Sequence, residues 1–549
     1  MLHSSRLAPQ CHYAVRKGDG MTADLIVANG PIYTMRPEQP AVDAVGIRDG
    51  RIVALGDIRT VRREVGACEV LDLRGRTAIP AFSDAHLHLV SYGLSLQQVD
   101  LSGARSERAC AERVRLAAAG LPEGEWVVGR GWDRNLWAPP SFPRRESLDA
   151  VAPAHPVALG SRDGHALWVN SCALRRAGIS ATTPDPEGGR ILRDPRTDEP
   201  TGILLEEAVG LVYEHARRPG PQATRRAILA AVAGAHRLGL TSVHDCEGSE
   251  AMAGFLELWR EGGLQLRVYM LIPREGLDAA IALGLRTGFG DDWLRLGHLK
   301  LFADGALGSR TADMLEPYSD EPGNCGVQVL SSERLGEIVE RASRAHIAVA
   351  THAIGDRANR RVLDAYAASR PVWYAAGLRP RIEHVQLLAP DDVGRLAGLG
   401  VVASMQPIHA TSDMDMAEAH WGERSRGAYA WRSLLEAGTV LAFGSDCPVE
   451  ALDPLAGIHA AVTRQRRDGT PAGGWRPEER LSVYEAVRAY TWGAAYAEGT
   501  EERKGCLAPG KVGDLVVLSE DIFRASPKGI LDVHVVYTIC GGSLVYAAG

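Results

Sequence analysis

Eight short apolar runs that end in polar residues recur along this chain, and amphipathic stretches such as "SERLGEIVERASRAH" separate them. The first is "AIPAFSDAHLH" (78–88); the others are "LTSVHDC" (240–246), "LRVYMLI" (266–272), "LGHLKLFADG" (296–305), "IAVATHAIGD" (347–356), "PRIEHVQ" (380–386), "VVASMQP" (401–407) and "TVLAFGSDCP" (439–448). Strands that alternate with helices build a parallel sheet, and eight such units close into a (β/α)8 TIM barrel of the α/β class. In that architecture the chemistry sits at the C-terminal ends of the strands, so the polar residues that close each run are the ones to collect.

Both ends of the chain have a different texture. Residues 23–75 and 505–547 are short β-rich pieces separated by Gly turns, among them "AVGIRDGRIVALGD", where Asp49-Gly50 signals a hairpin. One small, β-sandwich-like domain built from residues 22–76 and 505–549 is the economical arrangement, because chain ends commonly lie close together. The barrel then occupies 77–504, with 100–225, rich in Trp, Pro and Gly, inserted after the first strand and expected over the active site. Residues 1–21 read as a disordered N-terminal extension.

Composition narrows the partners. A net charge of −7 from 61 basic and 68 acidic residues, without long runs of either sign, gives no footprint for nucleic acid or an anionic membrane. Nine cysteines occur singly, without a C-x-x-C, which fits a reducing cytoplasm rather than a disulfide framework. No apolar stretch is long enough to span a bilayer, and the N-terminus lacks the apolar core of a secretory signal. The expected partner is a small molecule, and a homodimer is compatible with the chain.

The residues at the run ends carry metal-ligand chemistry. They are His86 and His88 on the first run, Lys300 on the fourth, His352 on the fifth, His384 on the sixth and Asp446 on the eighth. His86 and His88, two apart in an extended segment, project to the same side. Imidazole and carboxylate suit Zn²⁺, Mn²⁺ or Fe²⁺. An ammonium cannot ligate a cation, but a buried lysine facing dications has its pKa lowered, and its neutral amine can capture CO₂ to become an anionic bridge. Lys300 has an alternative as an ion-pair partner of Asp304 or Asp356.

This set, in this order, resembles the amidohydrolase superfamily of metal-dependent hydrolases. The stretches "GWDRNLW" (131–137), "SRDGHALWVNS" (161–171), "KLFADGALGSRTA" (300–312), "THAIGDRAN" (351–359), "SMQPIHATSD" (404–413) and "GSDCPVE" (444–450) resemble its amidohydrolase-3 branch, which includes N-substituted formamide deformylase. The resemblance implies one or two divalent ions, Zn²⁺ first, held by His86, His88, Lys300 (as a carbamate bridge), His352, His384 and Asp446. It implies water attack on an amide-type C–N bond, as in an N-substituted formamide or other N-acyl compound, with Asp446 taking the water proton and passing it to the departing nitrogen. Substrate contact is implied for Trp132, Asp133, His165, Asp304, Gln406 and His409. The tryptophans at 132, 137, 168, 421 and 431 suit an aromatic-lined pocket, and His244 suits the rim. Ester hydrolysis, lyase or isomerase chemistry on the same centre, and a non-catalytic scaffold, are the alternatives.

Overall fold

The computed structural model describes residues 24–548 apart from 67, 97, 187, 214 and 216–219, so the expected extension over 1–21 lies outside the described residues. The eight apolar runs form one parallel sheet: β1 Phe82–Leu87, β2 Leu240–Asp245, β3 Arg267–Pro273, β4 Leu294–Phe302, β5 Val349–Ala353, β6 Arg381–His384, β7 Val402–Met405 and β8 Leu441–Phe443. Neighbours pair in sequence order from β1 to β8, giving a nearly closed TIM barrel. Every residue of β1, β2 and β5–β8 is buried, as strands with helices outside and side chains inside require. The outer helices supply one apolar stripe each. Ser332–Arg344 buries Leu335, Ile338, Val339 and Ala342, and starts where the Ser331 side chain accepts the Arg334 N–H.

Strand pairing stops at β8, and the seam back to β1 is closed by polar contacts. The Asp84 carboxylate accepts the backbone N–H of His86 and of Ser445, each at 3.0 Å, and the Asp446 N–H donates to the His86 carbonyl at 2.7 Å. Gly444 makes the approach possible, since a Cβ there would stand 2.5 Å from the His86 nitrogen and 2.6 Å from Asp84 Oδ1. Gly444→Ala is therefore expected to cost about 1–3 kcal/mol of stability and to depress activity by pushing His86 away from Asp446. Urea unfolding together with rate measurements checks this, and a variant as stable and active as the parent contradicts it.

The two chain ends form a single eight-stranded sheet in which Leu515–Leu518 pairs antiparallel with Thr77–Pro80, the strand that leads into β1. The hairpin at Asp49-Gly50 has positive φ at both residues (51° and 72°), as a tight two-residue turn between twisted strands demands. Helix Ile58–Val65 covers one face through Val61 and Val65, packed on Ile26, Ala28 and Ala44.

Between β1 and β2 a six-stranded sheet spans Val99 to Glu206 with its own core around Trp132, Trp137, Leu148 and Trp168. It is tied to the loop after β8, where Arg162 ion-pairs with Glu450 and the Arg130 guanidinium donates to the Pro448 carbonyl. The cysteines among the described residues are free, and no helix of the described residues is long and apolar enough to cross a membrane.

Candidate metal centre and active site

The ends of β1, β5, β6 and β8 bring His86, His88, His352, His384 and Asp446 together. His86 Nε2 and His88 Nε2 each lie 3.5 Å from Asp446 Oδ1. The ring centroids of His86 and His384 are 4.8 Å apart, and those of His352 and His384 4.6 Å. His86, His88 and Asp446 offer ligand atoms within 4.8 Å of one another, and so do His384, His409 and Asp446.

Backbone strain places two of these side chains. In β6, alternation points Arg381 and Glu383 into the barrel and Ile382 into the surrounding core. His384 would follow Ile382 outward, but its φ of +73° breaks the alternation and turns its ring to the site beside Glu383. Asp446 has φ +57° at the end of the β8 run. Non-glycine residues held in this region cost of order 1–3 kcal/mol each and persist only where their surroundings enforce them.

Protonation states suit a cation. Burial, aided by the nearby Lys300 charge, pulls His86 down to about 4. Burial likewise holds His352 and His384 well below the usual imidazole range, with Lys300 adding to the effect on both. Asp446 lies well below the usual carboxylate range; burial opposes this, and hydrogen bonds from His409 and His88 outweigh it. Neutral imidazoles and a deprotonated carboxylate are the forms that bind a metal. Their outer nitrogens are held as well. His86 Nδ1 is 2.5 Å from Glu383 Oε2, and His384 Nδ1 is 2.8 Å from Gln406 Oε1, which leaves each Nε2 for the centre. His352 Nε2 is engaged by the Gly305 carbonyl at 2.9 Å, leaving Nδ1 as its free nitrogen.

Lys300 is buried, with Nζ 4.8 Å from the Phe302 ring centroid. The ion-pair alternative fails for both carboxylates. Asp304 accepts the N–H groups of Asp313, Ile354 and Gly355, and Asp356 accepts those of Leu315 and Arg357. Lys300 is thus a buried amine beside the three imidazoles whose basicity it lowers.

A cavity of about 610 Å³ opens above these groups, within the range of small-molecule sites. His352, His384 and Asp446 line its floor, and Trp132, Asp133, Arg134, Arg162 and His165 of the inserted sheet line its walls. His409 lines it too, donating from Nε2 to Asp446 Oδ2 at 3.2 Å. Against burial, the hydrogen bonds of Asp446 and Glu450 push His409 up to about 10, and an imidazolium has no lone pair for a metal.

Several sequence expectations need correction. Asp304 does not line the cavity, because its carboxylate is consumed by three backbone donors. Gln406 also stands behind the site, holding His384 rather than facing substrate. Of the five tryptophans only Trp132 lines the cavity, and its indole N–H is committed to the Leu159 carbonyl; the others are core residues. His244 is not a rim residue. It is buried within β2, 2.7 Å from the Arg381 guanidinium and 3.0 Å from Glu498. The sequence reading missed Glu383, although "RIEH" carried the signal: in a strand buried on both sides, a charged pair two residues apart must face the barrel interior together.

The pattern of the Amidohydrolase family matches residues 69–546. The Bacillus subtilis (strain 168) protein YtcJ is 34% identical over 94% of this chain and 98% of its own length. N-substituted formamide deformylase of Arthrobacter pascens is 29% identical over 95% and 98%. An uncharacterized metal-dependent hydrolase from Pyrococcus horikoshii OT3 superposes with a TM-score of 0.77 at 29% identity, covering 92% of this chain and 99% of that one.

Proposed function

The chain belongs to the amidohydrolase family, and from that premise we propose that this metal-dependent hydrolase cleaves an amide-type C–N bond of a small molecule, an N-substituted formamide or related N-acyl compound. The observation that carries the reading is the meeting of buried, neutral His86 and His384 with deprotonated Asp446, where His384 and Asp446 floor a cavity of about 610 Å³. A divalent ion, Zn²⁺ first, would be held by His86, His88 and Asp446, with His384, His352 and Lys300 grouped where a second would sit. Bound there, it supplies a Lewis acid and lowers the pKa of water.

The chain's own groups do the rest. Asp446 takes the proton of the attacking water and passes it to the nitrogen, which must be protonated to leave. Glu383 and Gln406 hold the two imidazoles in one tautomer and orientation. The 29% identity to N-substituted formamide deformylase supports formamides as the first substrates to try. Metal analysis of the purified protein, followed by assay on 4-nitroformanilide, 4-nitroacetanilide and 4-nitrophenyl acetate, tests the reading. Zinc in stoichiometric amount with release of 4-nitroaniline is expected; ester cleavage without amide cleavage moves the assignment to an esterase.

In this reading Lys300, as a carbamate formed with CO₂, would supply an anionic ligand to the metal. Lys300→Ala is then expected to lose bound zinc together with activity, both partly regained with a short carboxylic acid, whereas Lys300→Arg regains neither. Elemental analysis decides. A Lys300→Ala protein that retains two equivalents of metal and full turnover rules that ligand out.

A further inference from the structure

Among the polar groups that the inserted sheet contributes to the cavity, His165 is one that the mechanism above leaves unused. His165 Nδ1 is 2.7 Å from Glu206 Oε2, and its Nε2 has no partner among the described residues. The ring keeps 24% of its surface open, in the cavity that His352, His384 and Asp446 floor. Glu206 faces His165 across the ladder, its N–H donating to the His165 carbonyl at 3.0 Å, and it is held at φ +50°, ψ −128°. That conformation costs a glutamate of order 1–3 kcal/mol, so the surroundings hold the backbone in place here.

We propose that His165 is a catalytic residue: Glu206 holds it as an imidazolium whose Nε2–H donates to the substrate carbonyl oxygen as negative charge develops there. The inference rests on the hydrolase reading but not on the choice of amide over ester, because both reactions charge the same oxygen. No proton is transferred in this role; the N–H⁺ stays on the ring and the hydrogen bond strengthens as the oxygen becomes anionic.

The electrostatics agree. Burial lowers the basicity of His165, but the hydrogen bond and charge of Glu206, with Asp163 and Asp446 behind it, outweigh this and push it up to about 9. The charges that act on His165 are those of Glu206 from the opposite strand, Asp163 from its own turn and, from the barrel floor, Asp446. The cation is present below that value and lost as pH rises through it. Glu206 is a positioning residue, and Thr311 fixes its second oxygen with a contact of 3.3 Å.

The test uses zinc-loaded full-length protein. By NMR of ¹³C-labelled histidines, His165 should titrate above the ordinary imidazole range in the parent and lower in Glu206→Gln, with the alkaline limb of kcat moving the same way. Sodium formate, a carboxylate that presents the same charged oxygen, should shift the His165 signal and bind at least about tenfold more weakly to His165→Ala. On whichever 4-nitroanilide or ester the parent hydrolyses, His165→Ala should lower kcat by about 10²–10³-fold with KM and zinc content little changed. Formate affinity unchanged in His165→Ala, or kcat within about threefold of the parent, overturns the proposal. A parent that cleaves none of the amides while formate binding still depends on His165 defeats the amide reading and leaves this one standing.

Discussion

Alanine at His86, His384 or Asp446 is expected to lower turnover by about 10³-fold or more while leaving a folded barrel. The three side chains meet at the strand ends rather than in the apolar core, so truncating any of them removes a donor without opening a large hydrophobic cavity. His86→Ala and Asp446→Ala should also shed metal, since they share one cluster of ligand atoms with His88. Circular dichroism, elemental analysis and rates on one preparation separate the possibilities. A folded variant with near-parental activity at any of the three positions refutes the centre.

The second large effect is on stability. Glu383 touches Arg381 at 2.6 Å and His86 at 2.5 Å, and both partners in the Glu383–Arg381 pair are fully buried. The guanidinium also meets His244, which burial holds down to about 4 and so leaves neutral. Glu383→Leu therefore strands the charge of Arg381 in a dry interior and is expected to cost about 3–5 kcal/mol. Pairing it with Arg381→Met removes the stranded charge and should recover most of that loss. The same double variant should not recover activity, because His86 Nδ1 still lacks its acceptor. Equilibrium unfolding of the single and double variants checks the first claim and kinetics the second; a Glu383→Leu protein of parental stability contradicts the first, and a double variant of parental activity the second.

The barrel was legible because each strand is a short apolar run with a polar end, a pattern that survives without any tertiary knowledge. His86 and His88 were legible for a related reason, since a period of two puts them on one side of a strand. What could not be read is where the backbone departs from its period. His384 reaches the site only through a positive φ, and nothing in "RIEHVQ" announces that Glu383 and His384 share a side. Asp304 and Gln406 show the complementary difficulty. Both lie next to the site in sequence, yet each spends its polar atoms behind it, on backbone N–H groups and on His384 Nδ1 respectively. The tryptophans of the insertion looked like a pocket lining because they stand in Gly- and Pro-rich stretches, but a six-stranded sheet needs a core, and they fill it, Trp132 alone of them also reaching the cavity.

The sheet made from both chain ends has a consequence in time. Thr77–Pro80, which runs into the strand bearing His86, finds its antiparallel partner only in Leu515–Leu518. During synthesis at about 5–20 residues per second, that edge waits on the order of 20–90 s for its mate to be made. Throughout the wait it presents unpaired backbone and the apolar side chains of Ala78 and Ile79, the kind of edge that recruits strands from other chains. The strand that carries His86 is thus among the earliest of the barrel to be translated and among the last to be anchored.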